Sequence, residues 1–94
     1  MKKYKITLSF TANKIFKHLH PDIKKILRAT LNDLSTNPYS GKPLKEELEG
    51  YWSLSVSKYR VIYQIEKSSI IVIYIGLRKY VYAKFLELLK AIKL

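Results

Sequence analysis

Residues 52–75 read WSLSVSKYRVIYQIEKSSIIVIYI, and they indicate the fold class of the whole chain. Apolar side chains recur at every second position over residues 52–56 and again over 61–65, which is the period of a half-buried β-strand. Residues 70–75 are apolar at every position, as expected of a strand that is covered on both faces of a sheet. Short polar turns separate the three runs. The stretch therefore predicts a three-stranded antiparallel meander.

One strand and three helices surround this meander. Residues 4–9 alternate like a strand, and Ser9 or Thr11 can cap the helix that follows. A second helix begins near Pro21 after a short break, so the two helices are predicted to form an αα-hairpin. A final helix runs from about Lys79, with a stripe of apolar residues at helical spacing. This order predicts an α+β fold in which the helices pack on a curved antiparallel sheet.

The composition fits one compact domain with a large positive charge. The chain has 94 residues, of which 48% are hydrophobic, and this is enough for one core. No repeat or long linker divides the sequence, so we expect a single domain over residues 1–94. The 18 lysines and arginines against 7 acidic residues leave a formal charge of +11, which suggests a polyanionic partner. The alternative is that solvated lysines simply replace other polar residues.

The residue pattern favours a cytoplasmic location. Cysteine is absent, which fits a reducing compartment. The first five residues resemble the charged start of a signal peptide, but the alternating residues after them do not form its apolar segment. No apolar run approaches the roughly 20 residues that cross a bilayer. We therefore expect a cytoplasmic protein with no membrane partner.

Several kinds of catalytic chemistry are not indicated. His18 and His20 are the only histidines, and no cysteine or acidic cluster accompanies them at ligand spacing, so we expect no metal site and no cofactor. The glutamates of residues 46–49 belong to a polar loop, where they are either solvated or paired with Lys42 and Lys45. Three scattered glycines do not make a phosphate-binding loop, and no serine has a base beside it.

Basic and phenolic residues at strand ends form the candidate site. Arg60 lies early in the second meander strand, Arg78 follows the third strand, and Tyr82 begins the final helix. Because neighbouring strands lie about 4.8 Å apart, two arginines at adjacent strand ends can converge on one phosphate. Tyrosine adds a ring that stacks on a base and a hydroxyl that transfers a proton. These residues alone leave open the alternative that both arginines form surface salt bridges and that Tyr82 is a core phenol.

Three segments carry a recognisable family pattern. Residues 50–63 read GYWSLSVSKYRVIY, residues 75–82 read IGLRKYVY, and residues 38–44 follow the pattern P-x-x-G-x-P-L. This combination resembles the RelE/ParE toxin superfamily, in which Trp or Tyr opens a strand, a Y-R-V-I-Y strand follows, and G-x-R precedes a closing V-Y. The RelE branch is favoured. The likeness extends over nearly the whole chain in the same order, and it implies the same α+β fold.

The resemblance implies a toxin of a type II toxin–antitoxin system that cuts mRNA on the ribosome. In that reaction, which uses no metal, the ribose 2′-OH attacks the adjacent phosphate. Arg60 and Arg78 would stabilise the phosphate charge, and Tyr82 would stack on a base or help transfer a proton. The resemblance also implies a hetero-oligomeric complex with an acidic, partly disordered antitoxin that wraps the toxin, with the ribosome and mRNA as further partners.

The chain departs from the family pattern at two positions. Many relatives carry Lys or Arg on the outward face of the first meander strand, where this chain has Ser53 and Ser55. Lys58, or Lys42 and Lys45, are the cations that can reach the site instead, and the two serines can contact RNA or phosphate through hydrogen bonds. Because these two positions carry no fixed positive charge, two alternative functions remain open. One is a ParE-like inhibitor of DNA gyrase that is not a nuclease, and the other is a catalytically weakened relative that acts by binding.

Overall fold

The computed structural model describes residues 3–92 and contains a five-stranded sheet with helices on both faces. In chain order the elements are β1 Lys5–Leu8, α1 Phe10–Lys17, α2 Pro21–Thr36, β2 Lys42–Pro43, β3 Trp52–Val56, β4 Tyr59–Glu66, β5 Ser69–Leu77 and α3 Val81–Ile92. The predicted α+β fold, with its strand, helical hairpin, meander and final helix, is confirmed. Within residues 3–92, no helix has the length and apolar character needed to cross a membrane.

The sheet combines the predicted antiparallel meander with one parallel pair. Its order is β1-β5-β4-β3-β2, and every neighbouring pair is antiparallel except β1 with β5. Lys5 lies opposite Ser69, and Leu8 lies opposite Val72. The expectation of an antiparallel sheet therefore holds for the meander, whereas β1 makes the whole sheet mixed. Alternating residues identify a strand, but they carry no information on which neighbour it joins or in which direction.

Both helices of the hairpin begin at a side chain that caps them. Ser9 rather than Thr11 caps α1, since its hydroxyl accepts a 3.1 Å hydrogen bond from a backbone N–H of the first turn. The same hydroxyl donates to the carbonyl of Ile73 at 2.9 Å, which ties the start of α1 to β5. His20 caps α2, where its Nδ1 accepts a 3.1 Å bond from the N–H of Asp22. Caps of this kind satisfy backbone groups that have no partner inside the helix.

The sheet separates two hydrophobic cores. The larger core lies between the sheet and the α1–α2 hairpin, and its buried residues include Leu27, Leu34 and Val61. The smaller core lies under α3, where Ile62 and Phe85 are fully buried. Val61 and Ile62 are consecutive in β4, so they face opposite cores. Burial of a side chain as large as Phe85 contributes about 1.5–3 kcal/mol, and this holds α3 against the sheet.

The segment between α2 and β3 is held to the sheet by Tyr63. This segment, which includes the polar loop of residues 46–49, contains strand β2 and two short 3₁₀ turns, Pro38–Ser40 and Glu46–Leu48. The buried hydroxyl of Tyr63 donates to the carbonyl of Pro38 at 2.9 Å. Burial raises the pKa of the Tyr63 phenol, and a hydrogen bond with the backbone of Gly41 opposes this rise in part. A Cβ at Gly41 would collide with the Tyr63 hydroxyl, so only glycine allows the segment to approach this closely.

Candidate functional site

Arg60, Ser53 and Tyr82 meet on the sheet face that carries α3. The Ser53 Oγ lies 2.8 Å from the Tyr82 phenolic oxygen, which is hydrogen-bonding distance. The Nη1 of Arg60 donates to the same Ser53 Oγ at 3.4 Å. The guanidinium carbon of Arg60 is 5.9 Å from the centre of the Tyr82 ring, within the range of a cation–π interaction. We call these three side chains the Arg60–Ser53–Tyr82 cluster.

Strand register and helix packing together position this cluster. Ser53 of β3 lies opposite Ile62 of β4, and Arg60 precedes Ile62 by two residues, so the Ser53 and Arg60 side chains share one face. Tyr82 is the second residue of α3, whose first residue, Val81, is buried against the sheet. A Cβ at Gly76 would lie 3.1 Å from the Val81 Cγ2. The missing side chain at Gly76 therefore lets the start of α3 approach β5 closely.

Arg78 and Lys58 lie side by side at the end of the β4–β5 ladder. The backbone N–H of Arg78 donates to the carbonyl of Lys58 at 2.8 Å, one residue beyond the pair formed by Tyr59 and Leu77. Both side chains are exposed. Arg60 lies opposite Gly76 in the same ladder, so its backbone is two residues from this end. The ladder thus gathers three basic residues, although no hydrogen bond between side chains in residues 3–92 joins Arg78 to the cluster.

A groove of about 310 Å³ opens beside Tyr82. It is lined by Lys42, Pro43, Leu44, Lys45, Leu48 and Tyr82. Lys42 lies opposite Ser53 in the register of β2 with β3, so β2 brings this lysine to the cluster. Lys42 and Lys45, which the sequence identified as auxiliary cations, therefore line one groove with Tyr82. The sequence analysis did not identify Leu44 and Leu48, the leucines that line this groove. Their four-residue spacing was the one available signal that they share a surface.

The basic residues near the groove have no acidic partners in the described part of the chain. Over residues 3–92 the one contact within 4 Å between a basic and an acidic side chain joins His20 and Asp22, at 3.7 Å, and no lysine or arginine takes part in it. Arg60 and Arg78 therefore do not form the surface salt bridges that the sequence left open. The glutamates of residues 46–49 are exposed rather than paired with the nearby lysines. In the same described range, no three histidine, aspartate or glutamate side chains come together to hold a metal ion.

The two serines of β3 have different surroundings. Ser55 is exposed, so it is free to contact a ligand. Ser53 is only 1% exposed, and its hydroxyl is engaged by Tyr82 and Arg60. The partners of the Ser53 hydroxyl are thus protein groups, and a direct contact of Ser53 with RNA stays a prediction. Alternation placed both serines on the outward face, but it does not reveal that α3 covers only the first of them.

Comparisons with known proteins agree with this fold. Residues 8–82 match the family described as ParE toxin of type II toxin-antitoxin system, parDE. Comparison with curated proteins gives no significant relative. The toxin–antitoxin complex RelBE2 from Mycobacterium tuberculosis includes a chain of 29% identity and TM-score 0.76, with 83% of this chain and 94% of that chain covered.

Two further solved structures share the fold at lower identity. The isolated E. coli RelE toxin is 21% identical with a TM-score of 0.69, and 92% of this chain and 98% of that chain are covered. The YoeB dimer from Staphylococcus aureus is 21% identical with a TM-score of 0.65, and 76% of this chain and 92% of that chain are covered. The family match over residues 8–82, supported by these structures, places the chain in the RelE/ParE superfamily as a toxin of a type II toxin–antitoxin system.

Proposed function

We propose that this toxin is a ribosome-dependent endoribonuclease that acts in the cytoplasm and stops translation by cutting mRNA. The observation that carries the proposal is the Arg60–Ser53–Tyr82 cluster at the edge of a groove lined by two lysines. None of these cations is neutralised by a carboxylate within 4 Å in residues 3–92. Uncompensated arginine and lysine beside a half-buried tyrosine suit a single RNA strand, whose phosphates need cations and whose bases stack on aromatic rings.

The reaction is a transfer of phosphate within the RNA. The ribose 2′-OH loses its proton and attacks the adjacent phosphorus, and the bond from phosphorus to the 5′ oxygen breaks. The products are a cyclic phosphate and a new 5′-OH. Arg60 and Arg78 stabilise the negative charge that grows on the phosphate oxygens, which is the task that guanidinium groups perform well. Tyr82 stacks on the substrate base or transfers a proton.

The remaining basic residues bind and orient the RNA. Lys42 and Lys45 lie along the groove, and Lys58 lies beside Arg78, so they neutralise backbone phosphates on either side of the scissile bond. Ser55 adds an exposed hydroxyl on the same strand as Ser53. These contacts position the strand and contribute little to the choice of base, because phosphates are alike in every sequence.

The toxin has a cognate antitoxin as its protein partner, as the relative in the RelBE2 complex does. We expect the antitoxin to carry an acidic segment that folds on binding, since the toxin has a formal charge of +11. Such a segment would cover the arginines of the site and form a hetero-oligomer that cannot bind mRNA. The ribosome and mRNA are the partners of the free toxin.

A cleavage assay in a translating extract tests the proposal. We expect wild-type protein to cut mRNA and Arg78→Ala to cut it about 10²–10³-fold more slowly, as for the loss of one electrostatic donor. Arg28→Ala is the matched control, because Arg28 lies on α2 with its guanidinium carbon 5.1 Å from the Phe16 ring. It removes the same charge at a distance from the site. Equal cutting by all three proteins, or no cutting by wild type, would contradict the mechanism.

The family match favours a second candidate function. The matching family is described as ParE toxin, and the resemblance associates ParE-like proteins with inhibition of DNA gyrase without nuclease activity. The serines in place of basic residues on β3 agree with this alternative. Inhibition of supercoiling by purified toxin, with no RNA cleavage, would select it. Growth arrest that persists in Arg78→Ala without either activity would instead indicate a weakened relative that acts by binding.

A further inference from the structure

The Ser53 hydroxyl is a buried link between Arg60 and Tyr82. It is 1% exposed, and its two hydrogen-bond neighbours are the Arg60 guanidinium and the Tyr82 phenol. A serine hydroxyl has one proton to donate and two lone pairs that accept. Arginine only donates, so the Arg60 bond occupies a lone pair of Ser53 and leaves its proton free.

The direction of the second bond determines what Tyr82 can do. If Ser53 donates to the Tyr82 oxygen, the phenolic proton is left for another acceptor. The Arg60 bond favours this direction, because a hydroxyl that accepts from a cation is polarised and donates more strongly. The three groups then form a chain in which Arg60 donates to Ser53 and Ser53 donates to Tyr82. Tyr82 is half-buried and lines the groove, so in this arrangement its phenolic proton is free to bond to a ligand bound there.

We infer that Ser53 is a positioning residue that holds Tyr82 as the proton donor to the leaving 5′ oxygen, an inference that rests on the endoribonuclease function proposed above. As the bond from phosphorus to that oxygen breaks, its electron pair stays on the oxygen, which takes the phenolic proton of Tyr82. The proton of the attacking 2′-OH passes to solvent. The phenolate of Tyr82 keeps its hydrogen bond from Ser53 and later regains a proton from water, so the enzyme returns to its starting state.

Arg60 makes this proton transfer more favourable without touching the phenolic oxygen. Its guanidinium carbon is 5.9 Å from the ring centre and its Nη1 is 3.4 Å from Ser53, so its charge lies beside the phenolate that forms. The site is partly covered by α3, where charges interact more strongly than in bulk water. A serine at position 53 therefore has a role that a long basic side chain would not fulfil. Its short side chain bonds to the Tyr82 phenol while it stays buried and outside the groove.

Changing the leaving group distinguishes a role of Ser53 in proton donation from a merely structural role. Short synthetic mRNAs on programmed ribosomes would carry either the natural 5′ oxygen or a 5′ sulfur at the scissile bond. Sulfur leaves without being protonated, so it needs no proton donor. We expect Ser53→Ala to slow single-turnover cleavage of the natural substrate by about tenfold, with KM changed less than twofold. With the sulfur substrate the rate should stay within twofold of wild type.

Three further variants complete the design. Tyr82→Phe should show the same pattern more strongly, and adding Ser53→Ala to it should cost less than twofold, because both act through one proton. Ser53→Thr keeps the hydroxyl and should retain most of the rate. Ser35→Ala is the matched control, since Ser35 is 4% exposed and bonds to the carbonyl of Asn32 in α2. It should match wild type on both substrates.

The outcomes distinguish the inference from the function on which it rests. No cleavage of natural mRNA by wild-type protein would overturn both. Cleavage by wild type with an equal rate in Ser53→Ala would overturn the role of Ser53 alone. A Ser53→Ala defect that persists with the sulfur substrate would also overturn it, because the defect would then arise from distortion of the site rather than from loss of proton donation.

Discussion

Replacing Tyr63 by phenylalanine removes one oxygen atom from the interior of the protein. The Tyr63 side chain is fully buried in β4, and its hydroxyl donates to the carbonyl of Pro38 at 2.9 Å. The ring remains in Tyr63→Phe, so the hydrophobic packing of the core is kept. What is lost is the hydroxyl that holds the segment before β2 to the sheet, so the carbonyl of Pro38 is left without its donor and the backbone of Gly41 loses its hydrogen bond with the same oxygen.

The expected cost follows from this burial. Leaving a buried acceptor unsatisfied costs about 1–3 kcal/mol of unfolding free energy, which is more than the net value of an average hydrogen bond. We expect a loss of about 2 kcal/mol. For a domain of this size each 1 kcal/mol shifts Tm by roughly 4–8 °C, so Tm should fall by about 8–16 °C.

Chemical and thermal unfolding of two variants measure the effect. Tyr39→Phe is the control, because Tyr39 is 60% exposed and contacts the Trp52 ring edge-on at 5.4 Å through its own ring. It loses the same oxygen from the surface and should stay within about 0.5 kcal/mol of wild type. If Tyr63→Phe were equally stable, the Pro38 bond would contribute nothing and the account of how the segment is held would be wrong.

Three other predictions concern pH, salt and packing. Burial raises the pKa of the Tyr63 phenol, so as pH rises the unfolded chain loses this proton before the folded protein does. The unfolding free energy should therefore fall as pH rises above about 10. Urea titrations at pH 9 and pH 11 should show a smaller fall in unfolding free energy for Tyr63→Phe than for wild type. Lys42→Ala and Lys45→Ala should each reduce the slope of log affinity for single-stranded RNA against log salt by about 0.7, and an unchanged slope would mean that the lysine contacts no phosphate. Gly76→Ala should lower the unfolding free energy by about 1–3 kcal/mol, because the added Cβ would lie 3.1 Å from the Val81 side chain. Thermal unfolding measures this, and an unchanged Tm would show that α3 can shift away from β5 without cost.

The regular elements were predictable from the sequence because each has its own period. The alternation in residues 52–56 and the uniformly apolar run 70–75 became β3 and the central part of β5. The break before Pro21 became the start of α2. In each case the signal is local, since the side chains that face the core repeat with the geometry of the element itself.

Long-range pairing was beyond the reach of these local signals. Nothing in residues 4–9 indicates that β1 lies beside β5 and parallel to it. Strand β2 has only two residues, Lys42 and Pro43, and it exists because Tyr63 and Gly41 bring the segment against β3. Such contacts depend on the path of the whole chain rather than on a repeating pattern.

The candidate site was predicted in part. Arg60 and Tyr82 came from motifs that resemble a known family, and the structure brings their side chains together through Ser53. The burial of Ser53 was not predictable, because it depends on where α3 crosses the sheet. The same crossing decides that Ser55, two residues along the same strand, remains exposed.

The parallel pairing of β1 with β5 affects the order in which the chain folds. Leu8 and Val72, which pair across the two strands, are 64 residues apart in the sequence, and closing a loop of that length costs about 4 kcal/mol in chain entropy. The meander and the helical hairpin have only short loops to close, so β1 is expected to join last. Until it does, the edge of β5 is open and apolar over residues 70–75, and a second chain can pair with it. Refolding at low protein concentration should therefore recover more native toxin than refolding at high concentration.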